Sequence, residues 1–389
     1  MITRILAEYA VSAFKKYPVL TITGPRQSGK TTLARATFAD KPYANLEHPV
    51  TRQFAEADPV AFLNQYPSGA IIDEIQRVPD LLSYIQAIVD EKQQNSLFVL
   101  TGSQQFELMQ GISQSLAGRT ALLKLLPFSL AEISPHESLT VDEILFKGFY
   151  PRIYDQNINP SQAYADYFET YVERDLRQLV NVKNLSLFQR FVKLCAGRCG
   201  QLLNLNNLAN DTGISQSTAR EWMTVLEASY IVFLLQPYHA NIGKRLVKSP
   251  KIYFYDVGLV SWLCGIEKEQ QLATHPLRGN LFENVVIMET LKYRYNHGKR
   301  NNLYFYRDSN GNEIDLLYTK GANMLPIEIK SGQTISNSYF RNLKKFTLLF
   351  PNALPWSTLL VYAGETEQYR QKTKVIRADS LSTVLDEID

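Results

Sequence analysis

Apolar runs and polar stretches alternate along this chain in three successive rhythms. The first region carries continuous apolar runs at Pro18 to Thr23, Ala70 to Ile72, Leu97 to Leu100 and Ala121 to Leu126, with a helix-like segment opening at Thr32. Runs without polar alternation are what strands covered on both faces require, so they predict a parallel sheet in an α/β layer. The second region reads helix, tight turn, helix, strand. Leu208 and Ala209 pack inward, Gly213 admits the turn and Ser215 caps the next helix. Ala219, Trp222, Val225 and Leu226 then recur at helical spacing before a strand at Ile231 to Leu235. In the third region a helical stretch through Phe282-Glu283-Asn284 precedes strands at Leu303 to Arg307, Gly311 to Tyr318 and Met324 to Lys330. A helix near Asn337 to Phe350 and strands at Thr358 to Ala363 and Lys374 to Ala378 follow. The expected domains are residues 1–150, 151–275 and 276–389.

A chain of 389 residues is too long for one ordinary core, and 45% hydrophobic with 20% charged residues describes a folded protein rather than a disordered one. The formal charge of +3 neither demands nor excludes nucleic acid, because a basic patch can hide in a balanced total. Cys195, Cys199 and Cys264 lack Cys-x-x-Cys spacing, which points away from a disulfide framework or zinc site and toward a reducing cytoplasm. The amino terminus has no signal-type apolar core and no apolar run approaches a membrane span, so a soluble intracellular protein is expected.

The junction after the first apolar run carries the strongest chemical signal. Gly24-Pro25-Arg26-Gln27-Ser28-Gly29-Lys30-Thr31 has the G-x-x-x-x-G-K-[ST] spacing of a phosphate-binding loop, running on into Thr32. The glycines let backbone N–H groups turn inward, Lys30 reaches the β and γ oxygens, and the Thr31 hydroxyl completes a magnesium shell. Ala70-Ile71-Ile72-Asp73-Glu74 reads as a strand ending in two acids, Asp73 to hold the ion and Glu74 to polarise the attacking water. Thr101 or Ser103, at the end of the next strand, would sense the γ-phosphate. Arg119, and similarly Arg26, would stabilise charge on the transferred phosphoryl group, from the same subunit or from a neighbour. Self-association is expected only on the strength of Arg119.

Gly24 through Leu33, Ile72-Asp73-Glu74-Ile75-Gln76, Leu100-Thr101-Gly102-Ser103 and Ser115-Leu116-Ala117-Gly118-Arg119 together resemble a prokaryotic AAA-type ATPase family in which a carboxyl-terminal domain of unassigned function follows the ATPase. The resemblance runs over nearly the whole chain. It implies an AAA+-like P-loop module with ATP as its ligand.

The middle region resembles a winged helix-turn-helix. In a DNA-binding version Gln216, Ser217, Thr218, Arg220 and Glu221 would face a groove, with Lys244, Arg245, Lys248 and Lys251 forming a basic hairpin nearby. A protein-contact role is the alternative, since Glu221 weakens the attraction for phosphate. The last region resembles the core of the PD-(D/E)XK nuclease superfamily, an α/β restriction-endonuclease-like fold. Residues two apart on a strand share a face, so Glu328 projects with Lys330 and Glu313 with Asp315. Asp315 and Glu328 would bind Mg²⁺, Glu283 would add a ligand, and Lys330 would orient water or neutralise the scissile phosphate. Arg341, Lys344 and Lys345 would hold a phosphate backbone. The sequence thus points to an ATP-hydrolysing module coupled to DNA processing. A nucleotide-dependent switch or regulator that binds protein or DNA without cleaving it is the alternative.

Overall fold

The computed structural model of the protein describes residues 2–102, 115–176, 184–238 and 249–388, the side chains of 173–176 excepted. The chain divides into two compact units, residues 1–128 with 295–299 and residues 129–294 with 300–389. Ser103, Lys244, Arg245 and Lys248 lie outside the described residues.

Unit 1 runs α1 (Leu6–Phe14), β1 (Val19–Thr23), α2 (Lys30–Thr37), β2 (Tyr43–Asn45), α3 (Pro49–Ala57), α4 (Pro59–Asn64), β3 (Ile71–Asp73), α5 (Leu81–Lys92), β4 (Phe98–Gly102) and β5 (Thr120–Lys124). The five strands form one parallel sheet in the order β2-β3-β4-β1-β5. β1, β3 and β4 are buried along their full lengths, as their unbroken apolar runs require. Because every strand points the same way, their carboxyl ends share one edge of the sheet. That edge receives the loop after β1 and Asp73 at the end of β3. Leu20, Ile22, Leu33 and Val99 belong to the core on one side of β1, and Val19, Ile72, Ile85 and Leu100 to another.

Unit 2 begins with α6 (Leu130–Ile133), α7 (Val141–Lys147), α8 (Pro151–Asp155) and α9 (Pro160–Tyr167), which a π-helical segment, Phe168–Leu176, continues. Next come α10 (Leu185–Ala196), α11 (Leu205–Thr212), α12 (Gln216–Ala228), β6 (Val232–Pro237), β7 (Lys251–Phe254), α13 (Val257–Leu263) and α14 (Arg278–Asn296). The helix-turn-helix is formed by α11 and α12. Gly213 ends α11 with φ of 86°, a conformation that suits a residue without Cβ, and the Ser215 hydroxyl accepts from Thr218 N at 3.1 Å to start α12. Trp222 is buried from α12 against the rings of Phe188 and Phe191 on α10, with centroids 5.2 and 5.5 Å away and nearly perpendicular planes.

The remaining elements are β8 (Leu303–Arg307), β9 (Glu313–Lys320), β10 (Asn323–Lys330), α15 (Arg341–Leu349), β11 (Thr358–Tyr362), β12 (Gln368–Arg370), β13 (Thr373–Arg377) and α16 (Leu381–Asp386). They build an eight-stranded mixed sheet in the order β12-β13-β11-β10-β9-β8-β6-β7. β8, β9 and β10 are antiparallel neighbours, and β11 returns parallel to β10 after α15. The hairpin pair β6 and β7 joins the same sheet, with Gln236 opposite Tyr304 and Pro237 opposite Phe305. The expected middle and last regions therefore share a sheet, which pairs an edge of β8 that would otherwise need covering. Buried Asp256 ties the helical layer together, accepting from Phe149 N at 2.7 Å, Leu259 N at 3.1 Å and the Tyr164 hydroxyl at 2.6 Å.

Trp222 fills the junction of α10 and α12, so Trp222→Ala is expected to destabilise unit 2 by about 3–5 kcal/mol, a shift measurable by urea denaturation followed by far-UV circular dichroism.

Candidate functional site

The loop between β1 and α2 folds around the Lys30 side chain. Its ammonium, on a residue only 6% exposed, donates to the carbonyls of Gly24 at 3.0 Å and Pro25 at 2.7 Å. Gly24 has φ of 147°, and a Cβ there would run into the carbonyl oxygen of Leu125. Gly29 precedes α2 in a left-handed conformation, leaving the first N–H groups of the helix without an intrahelical partner, the arrangement that favours a bound anion. Arg26 is half-buried, Gln27 and Thr32 are exposed, and the Ser28 hydroxyl is buried without a hydrogen-bond partner. Burial lowers the Lys30 pKa to about 8; Glu74 and Asp73 oppose the shift, and Arg26 reinforces it.

Asp73 is the meeting point of this edge. Its carboxylate, 4% exposed, accepts from the Thr31 hydroxyl at 3.0 Å on both oxygens, from the Tyr43 hydroxyl at 2.7 Å and from the Thr101 hydroxyl. The proposed phosphate sensor Thr101 thus faces Asp73. Glu74 follows with φ of 57° and ψ of 46°, a left-handed conformation that costs a non-glycine residue about 1–2 kcal/mol and turns the chain sharply after the strand. Thr31 and Asp73 present hard oxygen donors at one point, a set that fits Mg²⁺.

Arg119 lies elsewhere. Its carbonyl accepts from Val19 N at the opening of β1, the end of the sheet away from the loop, roughly 16 Å along the strand. Its guanidinium forks onto Asp90 at 2.6 and 2.8 Å. The structure does not bring Arg119 to the loop of its own chain.

Sequence reasoning missed two supports of the loop. Arg4, 8% exposed, donates to the carbonyls of Ser28 at 2.7 Å and Leu126 at 2.6 Å and stacks on Phe128, bracing the loop against the end of β5. Tyr43 anchors Asp73, with Arg35 over its ring. Neither residue sits in a motif, and no local pattern singles it out.

In unit 2, β9 and β10 place Asp315, Glu328 and Lys330 together. Lys330 Nζ lies 3.1 Å from Asp315 and 2.9 Å from Glu328, and Asp315 also accepts from Ile329 N at 2.8 Å. Glu328 is 4% exposed and its Oε2 has no hydrogen-bond partner. Burial, then the Asp315 charge, pushes the Glu328 pKa up to about 8 against the pull of Lys330. Glu283, from α14, turns instead to Lys251 at 3.1 Å and to the Tyr253 hydroxyl. Lys251 lies 2.5 Å from Glu313 as well. This corrects one expectation: Lys251 is a buried residue of β7 engaged with acids, and no part of an exposed basic hairpin. Burial alone would lower its pKa, but Glu283, Asp315 and Glu313 outweigh that and raise it. Among the described residues, no group of three or more His, Cys, Asp or Glu is placed to hold a metal ion. Asp315 and the orphaned oxygen of Glu328 remain a two-carboxylate set of the kind Mg²⁺ uses with water.

Three family models match consecutive stretches of the chain: an AAA domain over residues 16–134, a domain of unknown function (DUF8612) over 138–270, and another (DUF4143) over 278–381. Two mycobacterial relatives, uncharacterized protein Mb2031c of Mycobacterium bovis and uncharacterized protein Rv2008c of Mycobacterium tuberculosis, are each 33% identical over 330 residues, covering 84% of this chain and 73% of theirs. Among solved structures, the Walker-type ATPase PABY2304 of Pyrococcus abyssi is similar with a TM-score of 0.44 at 13% identity, over 66% of this chain and 94% of that one. AMPPCP-bound DnaA from Aquifex aeolicus has a TM-score of 0.31 at 15% identity, over 57% and 86%. No helix among the described residues is long and apolar enough to cross a membrane.

With its pKa near 8, Lys30 is mostly neutral at pH 9 and mostly charged at pH 7. A triphosphate restores the charge, so binding should take up about one proton at pH 9 and roughly a tenth of one at pH 7, with affinity falling as pH rises above 8. Calorimetry in buffers of different ionisation enthalpy measures the uptake; equal values at both pH would show that Lys30 is not the coupled group.

Proposed function

We propose, since this chain belongs to an AAA-type P-loop ATPase family, that unit 1 binds ATP with Mg²⁺ and hydrolyses it, and that unit 2 engages DNA under control of that hydrolysis. The observation that carries the first part is the Thr31 hydroxyl resting on both oxygens of Asp73, which brings the phosphate loop and the acid-tipped strand to one point across 42 residues of sequence. Backbone N–H groups at the start of α2 and the Lys30 ammonium hold the β- and γ-phosphates. Mg²⁺, when held by Thr31 and Asp73, withdraws charge from those phosphates. Glu74 accepts a proton from the attacking water as its oxygen bonds to the γ-phosphorus and the bond to the bridging oxygen of ADP breaks. Asp73 is kept in place by Tyr43 and Thr101, and the loop by Arg4.

The DNA part rests on two exposed faces of unit 2. Gln216, Ser217, Arg220 and Glu221 are exposed on α12, the second helix of the helix-turn-helix, and Arg341, Lys344 and Lys345 are exposed on α15. In the cleaving version, Asp315 and Glu328 hold Mg²⁺ and Lys330 neutralises the scissile phosphate. A second reading, a nucleotide-dependent regulator that binds without cutting, is favoured by Lys251, whose ammonium already lies between Glu283 and Glu313.

Lys30→Ala is expected to abolish ATP binding, and Glu74→Gln to leave binding intact while lowering turnover at least a hundredfold, read by phosphate release. Retained turnover in Lys30→Ala would sink the ATPase reading. With supercoiled and branched DNA in Mg²⁺ or Mn²⁺, product that disappears in Asp315→Ala supports cleavage, whereas salt-dependent binding with no product on any substrate supports the regulator.

A further inference from the structure

Gln76 is the one polar member of the Asp73-Glu74-Ile75-Gln76 segment that the proposed chemistry leaves without a task. It sits in a short 3₁₀ turn, Ile75–Arg77, immediately after the left-handed Glu74. The residue is 7% exposed, and its amide N–H donates to Glu74 Oε2. The other end of the amide, Oε1, is buried with no hydrogen-bond partner. A buried amide satisfied at one end only is a poor choice for stability, because an apolar side chain of the same size would fill the space without stranding an acceptor. What an apolar side chain cannot do is hold a carboxylate oxygen. Glu74 and Gln76 lie within hydrogen-bonding reach across the left-handed turn at Glu74.

We infer that Gln76 is a positioning residue for ATP hydrolysis: its amide holds the Glu74 carboxylate in the orientation needed to take the proton of the attacking water. The inference rests on the ATPase reading given above and adds to it the group that sets the geometry of the base. A base displaced by a fraction of an ångström loses most of its advantage, so the effect falls on turnover rather than on nucleotide affinity.

The test is Gln76→Met, which keeps length and bulk but removes the donor, studied in the full chain beside Gln76→Ala, Glu74→Gln and the double variant Glu74→Gln with Gln76→Met. The expected result is a kcat lowered about tenfold to a hundredfold in Gln76→Met, with the dissociation constant for a non-hydrolysable ATP analogue within about twofold of wild type. Thermal stability should be unchanged or raised. In the Glu74→Gln background the second substitution should have no further effect on kcat, because both act through one carboxylate. A kcat unchanged in Gln76→Met while Glu74→Gln is dead would overturn the role of Gln76 and leave the ATPase reading standing. Additive losses in the double variant would also overturn it, since Gln76 would then act independently of Glu74. Turnover surviving in Glu74→Gln would remove the base itself, and the inference would fall with that assignment.

Discussion

A single buried carboxylate organises the nucleotide edge of this protein. Asp73 is buried in the sheet, and its carboxylate accepts from the hydroxyls of Thr31, Tyr43 and Thr101. Each hydroxyl comes from a different element, α2, β2 and β4, so satisfying one acid fixes the relative positions of three elements and of β3 itself. The loop before α2 inherits its position from Thr31, and the Lys30 ammonium closes it from within. Arg4 then braces the loop's outer side through the Ser28 carbonyl. Removing the carboxylate would leave three hydroxyls without their common acceptor, which is why the chemistry of the edge and its architecture are inseparable.

Unit 2 meets the same constraint with a different solution. Glu283, Glu313, Asp315 and Glu328 share two lysines, Lys251 on β7 and Lys330 on β10, and Glu283 also accepts from the Tyr253 hydroxyl. Burial raises the pKa values of Glu283 and Glu328 and the lysines draw them back down, so no single contact holds the cluster. Glu328 keeps one oxygen unsatisfied within that balance. Lys251 arrives from β7, the antiparallel partner of the strand that follows the helix-turn-helix, and this is possible because β6 and β7 extend the sheet that carries the acids. The two strands after the helix-turn-helix are thereby part of the sheet that carries the acid cluster.

The contiguous features were readable before the fold was known. The loop from Gly24 to Thr31, the apolar strands of unit 1, the turn at Gly213 and the alternations Glu313/Asp315 and Glu328/Lys330 each depend on neighbours along the chain. Lys251 shows where such reading stops. It follows Lys244, Arg245 and Lys248 closely enough to look like part of a basic run, yet it belongs to a strand, Lys251–Phe254, buried at every position. Arg119 stands at the opening of β5, which a parallel sheet sends to the edge opposite the phosphate loop.

Sequence alone determined the long apolar strands of unit 1, the helix pair around Gly213, where the phosphate loop lies, and which acids can share a strand face, because those properties follow from periodicity and from residue type at short spacing. Tertiary structure decided which charges are buried together. Arg4 reaches Ser28 across 24 residues, Tyr43 reaches Asp73 across 30, and Lys251 reaches Glu283 across 32. Their energetic weight comes from desolvation, which does not exist until the sheets close around them, so no pattern along the chain records it.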